Sequence, residues 1–295
     1  FGHRQTRRQG VWSGILSSLL RILILWGRLP VMKVHSLFVY PVKSLSGIEV
    51  SCFNTDDFGP VGDRRWMIVD DDRRFVTQRE HPELARVGTR LDGDRVVISI
   101  PDEGEFALTA TEEEVRVLVW RDWVKAQKGL PEANDALSRF CGKPVRLVFM
   151  PDSSFRRVDA GRVDEYRRVG FADGFPFLVT NTASLAELNN RLDSPVEMRR
   201  FRPNIVVEGA EAWEEDHWQS LSIGPNRLSL VKPCSRCVMT TVDPSTGQKD
   251  AALQPLRTLS GYRRTQEGVI FGQNAIHESP GIIRVGDPVT VNKSE

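Results

Sequence analysis

The sequence has few of the residues that mark a disulfide scaffold, a metal cluster or a membrane protein. Among 295 residues only four are cysteine: Cys52, Cys141, Cys234 and Cys237. A chain this long buries a core of its own, and four cysteines exclude a disulfide-held miniature fold and fit a reducing compartment. The five histidines (His3, His35, His81, His217 and His277) show no metal-ligand spacing. No apolar run reaches the roughly 20 residues that span a bilayer; "VWSGILSSLLRILILW", residues 11–26, is short and carries Arg21 in its middle. Internal repeats and low-complexity tracts are absent. So is an excess of one charge sign: the net charge is +1, which argues against a nucleic-acid partner.

Near-neutrality hides an asymmetry. Residues 1–31 hold Arg4, Arg7, Arg8, Arg21 and Arg28 and no acid, which leaves 35 basic against 39 acidic residues in the rest, about −4. Three readings of this segment compete: a membrane anchor or uncleaved signal, an Arg-rich targeting helix, or a stretch outside the working protein. Met32, opening "MKVHSLFVYPVKSLSG", reads as a natural start and favours the third, with a cytoplasmic protein as the expectation. Membrane association, or a mitochondrial address, would run through residues 1–31 alone.

What is present from Lys33 onward is a succession of short strands. "KVHSLFVYPV" alternates and then becomes apolar up to Pro41; "RRWMIVDDDRRFVTQRE" reads as two strands about an acidic tip; "TRLDGDRVVISIP" and "EGEFALTATEEEVRVLVWRDWVKAQ" repeat the theme. Turn signals about every ten residues predict a barrel or sandwich rather than a parallel α/β sheet. Two helices are predicted. One lies in "LPEANDALSRFCG", with Pro131 near its start and Gly142 as its stop. The other lies in "TNTASLAELNNRLD", with Thr182 as N-cap and a Leu185, Leu188, Leu192 stripe. Strands return after Asn204. The fold class is β-rich α+β with a boundary near residue 150. Residues 151–176 are polar, charged and weakly periodic, long for a structureless connection, and so a candidate functional lid or site wall.

The chemistry centres on "KPCSRCVMTTVDPSTGQ", residues 232–248. Cys234 and Cys237 are spaced C-x-x-C. A zinc site needs four ligands, and no second pair supplies them. A redox dithiol opens a helix after a strand, whereas the residues that follow here (Val238, Thr240, Thr241, Val242) are strand-like. A buried structural pair is a common use of free cysteine. The fourth reading makes one thiolate the single protein ligand of a soft metal whose other ligands come from a cofactor, with Arg236 beside Cys237 favouring the deprotonated sulfur. Residue types alone leave these open. Candidate anion-holding residues are Lys43 and Ser44, Arg64 and Arg65, Thr77, Gln78 and Arg79, and Arg199, Arg200, Arg202 and Asn204.

Eight motifs then carry a resemblance: "YPVKSLSG" (40–47), "GDRRWMIVD" (62–70), "FVTQR" (75–79), "FADGFPFLVTN" (171–181), "FRPNIVV" (201–207), "PCSRCVMTTVDPSTG" (233–247), "FGQN" (271–274) and "VGDPV" (285–289). In this order they resemble the MOSC superfamily, and more closely the mitochondrial amidoxime-reducing component family. The resemblance implies a MOSC-N-like β-domain over residues 33–150 and a MOSC β-barrel over 151–295, with a molybdenum cofactor (Mo-molybdopterin) between them. It implies Cys237 as the molybdenum ligand. Lys43, Ser44 and Arg64 map to the phosphate of that cofactor. Arg79, Asp173, Arg202, Asn204, Ser235 and Arg236 map to positions around it, and Thr240 and Thr241 are expected to support the thiolate. The activity implied is two-electron reduction of N-hydroxylated compounds such as amidoximes, hydroxylamines and N-hydroxylated bases. The chain has no iron–sulfur cysteine set, so an external electron-transfer protein of ferredoxin, flavodoxin or cytochrome b5 type is expected. The alternatives are a non-catalytic cofactor or sulfur carrier on the same scaffold, and a metal-free binding module.

Overall fold

The computed structural model describes residues 31–293. The readings of the N-terminal arginine-rich segment lie outside these residues. Among the described residues no helix is long and apolar enough to cross a membrane.

Strands dominate, as expected. First come β1 (Lys33–Val39), β2 (Ile48–Val50), β3 (Cys52–Asp56), β4 (Gly59–Pro60) and β5 (Trp66–Val69). A run of hairpins follows: β6 (Gly88–Asp92), β7 (Arg95–Ile100), β8 (Gly104–Ala107), β9 (Ala110–Val119) and β10 (Asp122–Gly129). Helix α1 (Pro131–Cys141) and β11 (Arg146–Phe149) lead into the long irregular stretch. Then come β12 (Phe177–Asn181), α2 (Thr182–Asn189), β13 (Ile205–Glu208), β14 (Trp218–Ile223) and β15 (Asn226–Ser235). The chain continues with α3 (Leu256–Tyr262), β16 (Arg264–Thr265), β17 (Gly268–His277), β18 (Ile282–Arg284) and β19 (Val289–Lys293).

The largest sheet runs β19-β14-β15-β17-β12-β13-β1-β2, with β16 on β17. Only β12 and β13 are parallel, joined through α2. The sheet is not a continuous closed barrel. One bridge, Lys33 to Pro288, joins the start of β1 to the approach to β19. Smaller sheets are β5-β11-β10-β9, β6-β7-β8 and β18-β3-β4. β1, from the N-terminal end of the described chain, pairs with β13. Inward residues of the large sheet (Leu37, Phe177, Val179, Ile205, Leu221, Ala275) form one core. A second core packs α1 against β7 and β11 through Leu137, Ile98 and Leu147.

Both predicted helices form. Gly142 ends α1 in the left-handed conformation at φ 65°, where glycine has no Cβ penalty. The N-cap of α2 is Asn181 rather than Thr182: its side chain accepts from Ala183 N at 3.0 Å. Both residues are good caps, and β12, by running through Asn181, sets the boundary one residue earlier than expected. Cys237 is not followed by a strand. β15 ends at Ser235, and Val238–Thr241 is a 3-10 turn.

Gly272 in "FGQN" has φ +76°, and a Cβ there would stand 2.7 Å from Val179 O and 2.8 Å from Thr180 Cγ2. Gly142 at φ +65° meets nothing within 4 Å. Gly142→Ala is expected to cost roughly 1–2 kcal/mol for the left-handed backbone alone. Gly272→Ala adds a main-chain clash and is expected to cost more, about 3 kcal/mol or above. Guanidinium chloride midpoints check the order of the two.

Candidate active site

The ten residues singled out from sequence as ligand or cofactor positions (Lys43, Ser44, Arg64, Arg79, Asp173, Arg202, Asn204, Ser235, Arg236 and Cys237) all line one cleft. It has a cavity volume of about 130 Å³ and opens to solvent. Six cations face it (Lys43, Arg64, Arg79, Arg200, Arg202, Arg236) against a single carboxylate, Asp173.

The loop after β1 supplies Lys43 and Ser44; the turn before β5 supplies Arg64; the stretch before β13 supplies Arg202. All three of Ser44, Arg64 and Arg202 have positive φ, at 71°, 46° and 55°. Non-glycine residues rarely adopt this region, and such strain concentrates at binding sites. The rigid anchor beneath them is Tyr40. The Arg64 and Arg202 guanidiniums face its buried ring at 4.3 and 4.2 Å. Arg64 Nη1 donates to Asp63 Oδ2 at 2.5 Å and to Asn204 Oδ1 at 3.2 Å. Asn204 in turn donates to Phe38 O and Asp63 Oδ1 and accepts from Leu178 N. Its amide is therefore committed to the protein, and it serves the cleft through Arg64.

Lys43 is buried and donates to Phe171 O at 2.8 Å and Asp173 Oδ1 at 2.5 Å. Burial pushes its ammonium below the ordinary lysine range, with Asp173 acting the other way. Desolvation works against charge on Asp173, but Lys43, then Arg79 and the Trp120 N–H, outweigh it and hold the carboxyl well below its usual range. Asp173 nonetheless opens to the cleft, with 63% of its side chain exposed, so solvent screens the pair. Burial and the Arg64 charge bring Arg202 down to about 10, which leaves it cationic at neutral pH.

Of the irregular 151–176 segment, Ala172, Asp173, Gly174 and Phe175 line the cleft. Arg156, buried and not among the sequence candidates, holds the segment in place. Its guanidinium donates to Gly170 O, Ala172 O and Asp173 O and to Asp122 Oδ2 on β10. The sequence offered no signal that separates this arginine from its neighbour Arg157.

Two expectations around the cysteines are corrected. Arg236 does not attend Cys237: its Nη1 lies 2.8 Å from Cys234 Sγ, and its Nη2 donates to Phe201 O. A residue directly preceding another points its side chain elsewhere on extended backbone. The guanidinium at Cys237 is that of Arg79, whose Nε is 3.5 Å from Sγ. Burial disfavours the Arg79 charge, but Cys237 and then Asp173 more than offset this and hold it above its ordinary range. Thr240 and Thr241 do not reach the sulfur either; they donate to Cys237 O and Val238 O and close the 3-10 turn. Among the broader anion candidates, Arg65 turns away to Met150 O and Asp152. Arg200 is committed to Thr241 O and Asp243, and Arg199 to Glu197.

Could this cleft hold a phosphate-bearing metal cofactor? Arg202 Nη2 and Arg236 Nε are buried without a hydrogen-bond partner, a costly condition that an anionic ligand relieves. Two thiols, Cys234 and Cys237, line the cleft, and among the described residues no cluster of three or more metal-ligating side chains exists. Both facts fit a cofactor that brings its own phosphate and most of its metal ligands. They do not fit a zinc site.

The family model for the MOSC N-terminal beta barrel domain matches residues 31–144, and that for the MOSC domain matches 166–290. The chain is 34% identical over 281 residues to mitochondrial amidoxime-reducing component 1 of Homo sapiens, covering 87% of this chain and 82% of that protein. It is 34% identical over 278 residues to the Mus musculus protein of the same name (87% and 81% covered). It is 33% identical over 276 residues to mitochondrial amidoxime reducing component 2 of Homo sapiens (87% and 82%). The chain belongs to the mitochondrial amidoxime-reducing component family of MOSC-domain proteins.

Proposed function

We propose that this protein is a molybdenum-cofactor-dependent reductase of N-hydroxylated compounds: amidoximes, hydroxylamines and N-hydroxylated bases. The observation that carries the reading is the meeting of Cys237, whose sulfur faces Arg79 Nε, with six cations and an unpartnered Arg202 Nη2 in a single cleft. Family membership supplies the reaction class.

In this reading Cys237 Sγ is the molybdenum ligand. Arg202, Arg64 and Ser44 hold the phosphate, with Arg202 Nη2 as the uncommitted donor. Arg79, Asp173, Ser235 and Arg236 line the rest of the cofactor. When bound, the molybdenum centre supplies the two electrons which, with two protons, convert an N–OH group to N–H and water. Asp173, kept ionised by Lys43 and Arg79, acts as an acceptor that orders both cations, not as a proton donor. Phe175 and Phe201 wall the cleft with apolar surface and limit water around the metal. The electrons come from an external protein of the ferredoxin, flavodoxin or cytochrome b5 type. The relatives are named mitochondrial, which favours the mitochondrial alternative over the cytoplasmic expectation.

Two tests follow from these roles. Cys237→Ala is expected to abolish reduction of a model amidoxime by reduced viologen and to remove bound molybdenum, whereas Cys234→Ala keeps most of both. Equal loss in the two variants, with no molybdenum in the wild type by elemental analysis, points to a dithiol. Bound molybdenum without turnover points to a carrier. Arg202→Met is expected to weaken cofactor retention roughly 10- to 100-fold, the value of a charge-assisted hydrogen bond. Molybdenum per protein after dialysis reads this, with the melting temperature as a control for folding. Full retention would detach Arg202 from the phosphate.

A further inference from the structure

Trp120 stands where the backbone favours glycine. It is the first residue of the two-residue loop between β9 and β10, since Val119 pairs with Asp122. Its φ is +57°. Loops of this length favour glycine, asparagine or aspartate at a first position with positive φ, because larger side chains there are strained. The indole is also 45% exposed, so apolar burial does not account for the strain. A bulky residue held in this conformation at the rim of a cleft signals function more than packing.

The contacts of its side chain say what it holds. The Arg79 guanidinium lies over the indole at 4.8 Å from the ring centroid. Trp120 Nε1 donates to Asp173 Oδ1 at 3.3 Å, and Asp173 Oδ2 is 3.7 Å from Arg79 Nη2. Phe75 supports the indole from another side at 5.1 Å. The main chain of Arg79 is fixed as well, by Lys249 Nζ on its carbonyl at 2.6 Å and by Thr77 Oγ1 on its N–H at 3.2 Å. Arg79 Nε faces Cys237 Sγ at 3.5 Å.

We propose that Trp120 is a positioning residue that clamps Arg79 so that its Nε–H stays directed at the Cys237 sulfur and tunes the molybdenum centre through that hydrogen bond. The inference rests on Cys237 being the metal ligand. A donor at a ligating thiolate withdraws electron density from the sulfur and favours the more electron-rich, reduced metal, so the bond raises the reduction potential. The cation–π face and the carboxylate together fix a long, flexible side chain that would otherwise sample many rotamers.

The test compares Trp120→Asn with Trp120→Phe in the molybdenum-loaded protein. Asparagine tolerates the left-handed backbone, so the loop keeps its shape while the ring is lost. Phenylalanine keeps an aromatic face for Arg79. The expected result is a downward shift of the molybdenum reduction potential and an altered EPR signal in Trp120→Asn, at unchanged molybdenum content, with Trp120→Phe close to wild type. An unchanged potential in Trp120→Asn overturns the proposal. Equal shifts in both variants overturn the stacking role as well. A second readout needs no cofactor: in the metal-free protein the Arg79 Nε–H signal in NMR is expected to be resolved and protected in wild type and Trp120→Phe, and exchange-broadened in Trp120→Asn. Protection retained in Trp120→Asn sinks the clamp whatever the metal does. A wild type that binds no molybdenum yet shows this pattern would sink the reductase reading while leaving the clamp standing.

Discussion

Two guanidiniums share one buried ring, and the rest of the site is arranged around that fact. Arg64 and Arg202 both face Tyr40. Like charges brought this close repel, and enclosure strengthens the repulsion. The protein answers with one buried carboxylate, Asp63, which bonds Arg64, the Tyr40 N–H and Asn204. The ring itself contributes attraction to each cation. Burial pushes the Tyr40 hydroxyl up to about 12, so the ring stays neutral. One carboxylate for two guanidiniums leaves a surplus of charge, which a phosphate-bearing ligand would neutralise. A cleft of this kind is built to be completed by an anion.

The same constraint explains where the backbone strain sits. Ser44, Arg64 and Arg202 take left-handed conformations on three separate chain segments. Each is held by partners outside its own loop. Gln78 Nε2 donates to Ser44 O, Arg64 N donates to Tyr40 O, and Arg202 Nη1 donates to Leu45 O. Strain of this kind persists only where surrounding structure over-determines it. The surrounding structure here is the pairing of β1 with β13 and the Asn204 amide that links β1 to β12. The N-terminal strand thus matters to the site as much as the segment that carries Cys237.

What the sequence disclosed about the site was its membership, and what it withheld was its pairing. Strand punctuation, the Gly142 stop and the Leu188 stripe were readable because they are local: each depends on residues within one turn or one hairpin. The motif residues could be named in advance, and they line one cleft. Their partners could not be named, because partnership depends on contacts across the fold. Arg236 was the natural companion of Cys237 by adjacency, yet the guanidinium at its sulfur comes from Arg79, 158 residues away in sequence. Thr240 and Thr241 were placed beside the sulfur by the same adjacency, and the 3-10 turn redirects them to carbonyls. Arg156 and Trp120 gave no signal at all, since one looks like any surface arginine and the other like any strand aromatic.

These corrections divide the labour around Cys237 differently from the motif itself. Residues next to it in sequence shape its backbone: the threonines close the turn, and Arg236 anchors the approach through Phe201 O. Residues far from it supply its electrostatics: Arg79 faces the sulfur, Asp173 and Lys43 extend the charge network, and Arg156 fixes the loop that bears Asp173. The sulfur's position and its electronic environment are thus set by different parts of the chain. Changes in the 151–176 segment or the β9–β10 tip can alter the second without disturbing the first. That separation gives a fold of this kind a way to adjust the electrostatics at the Cys237 sulfur while keeping the sulfur in place.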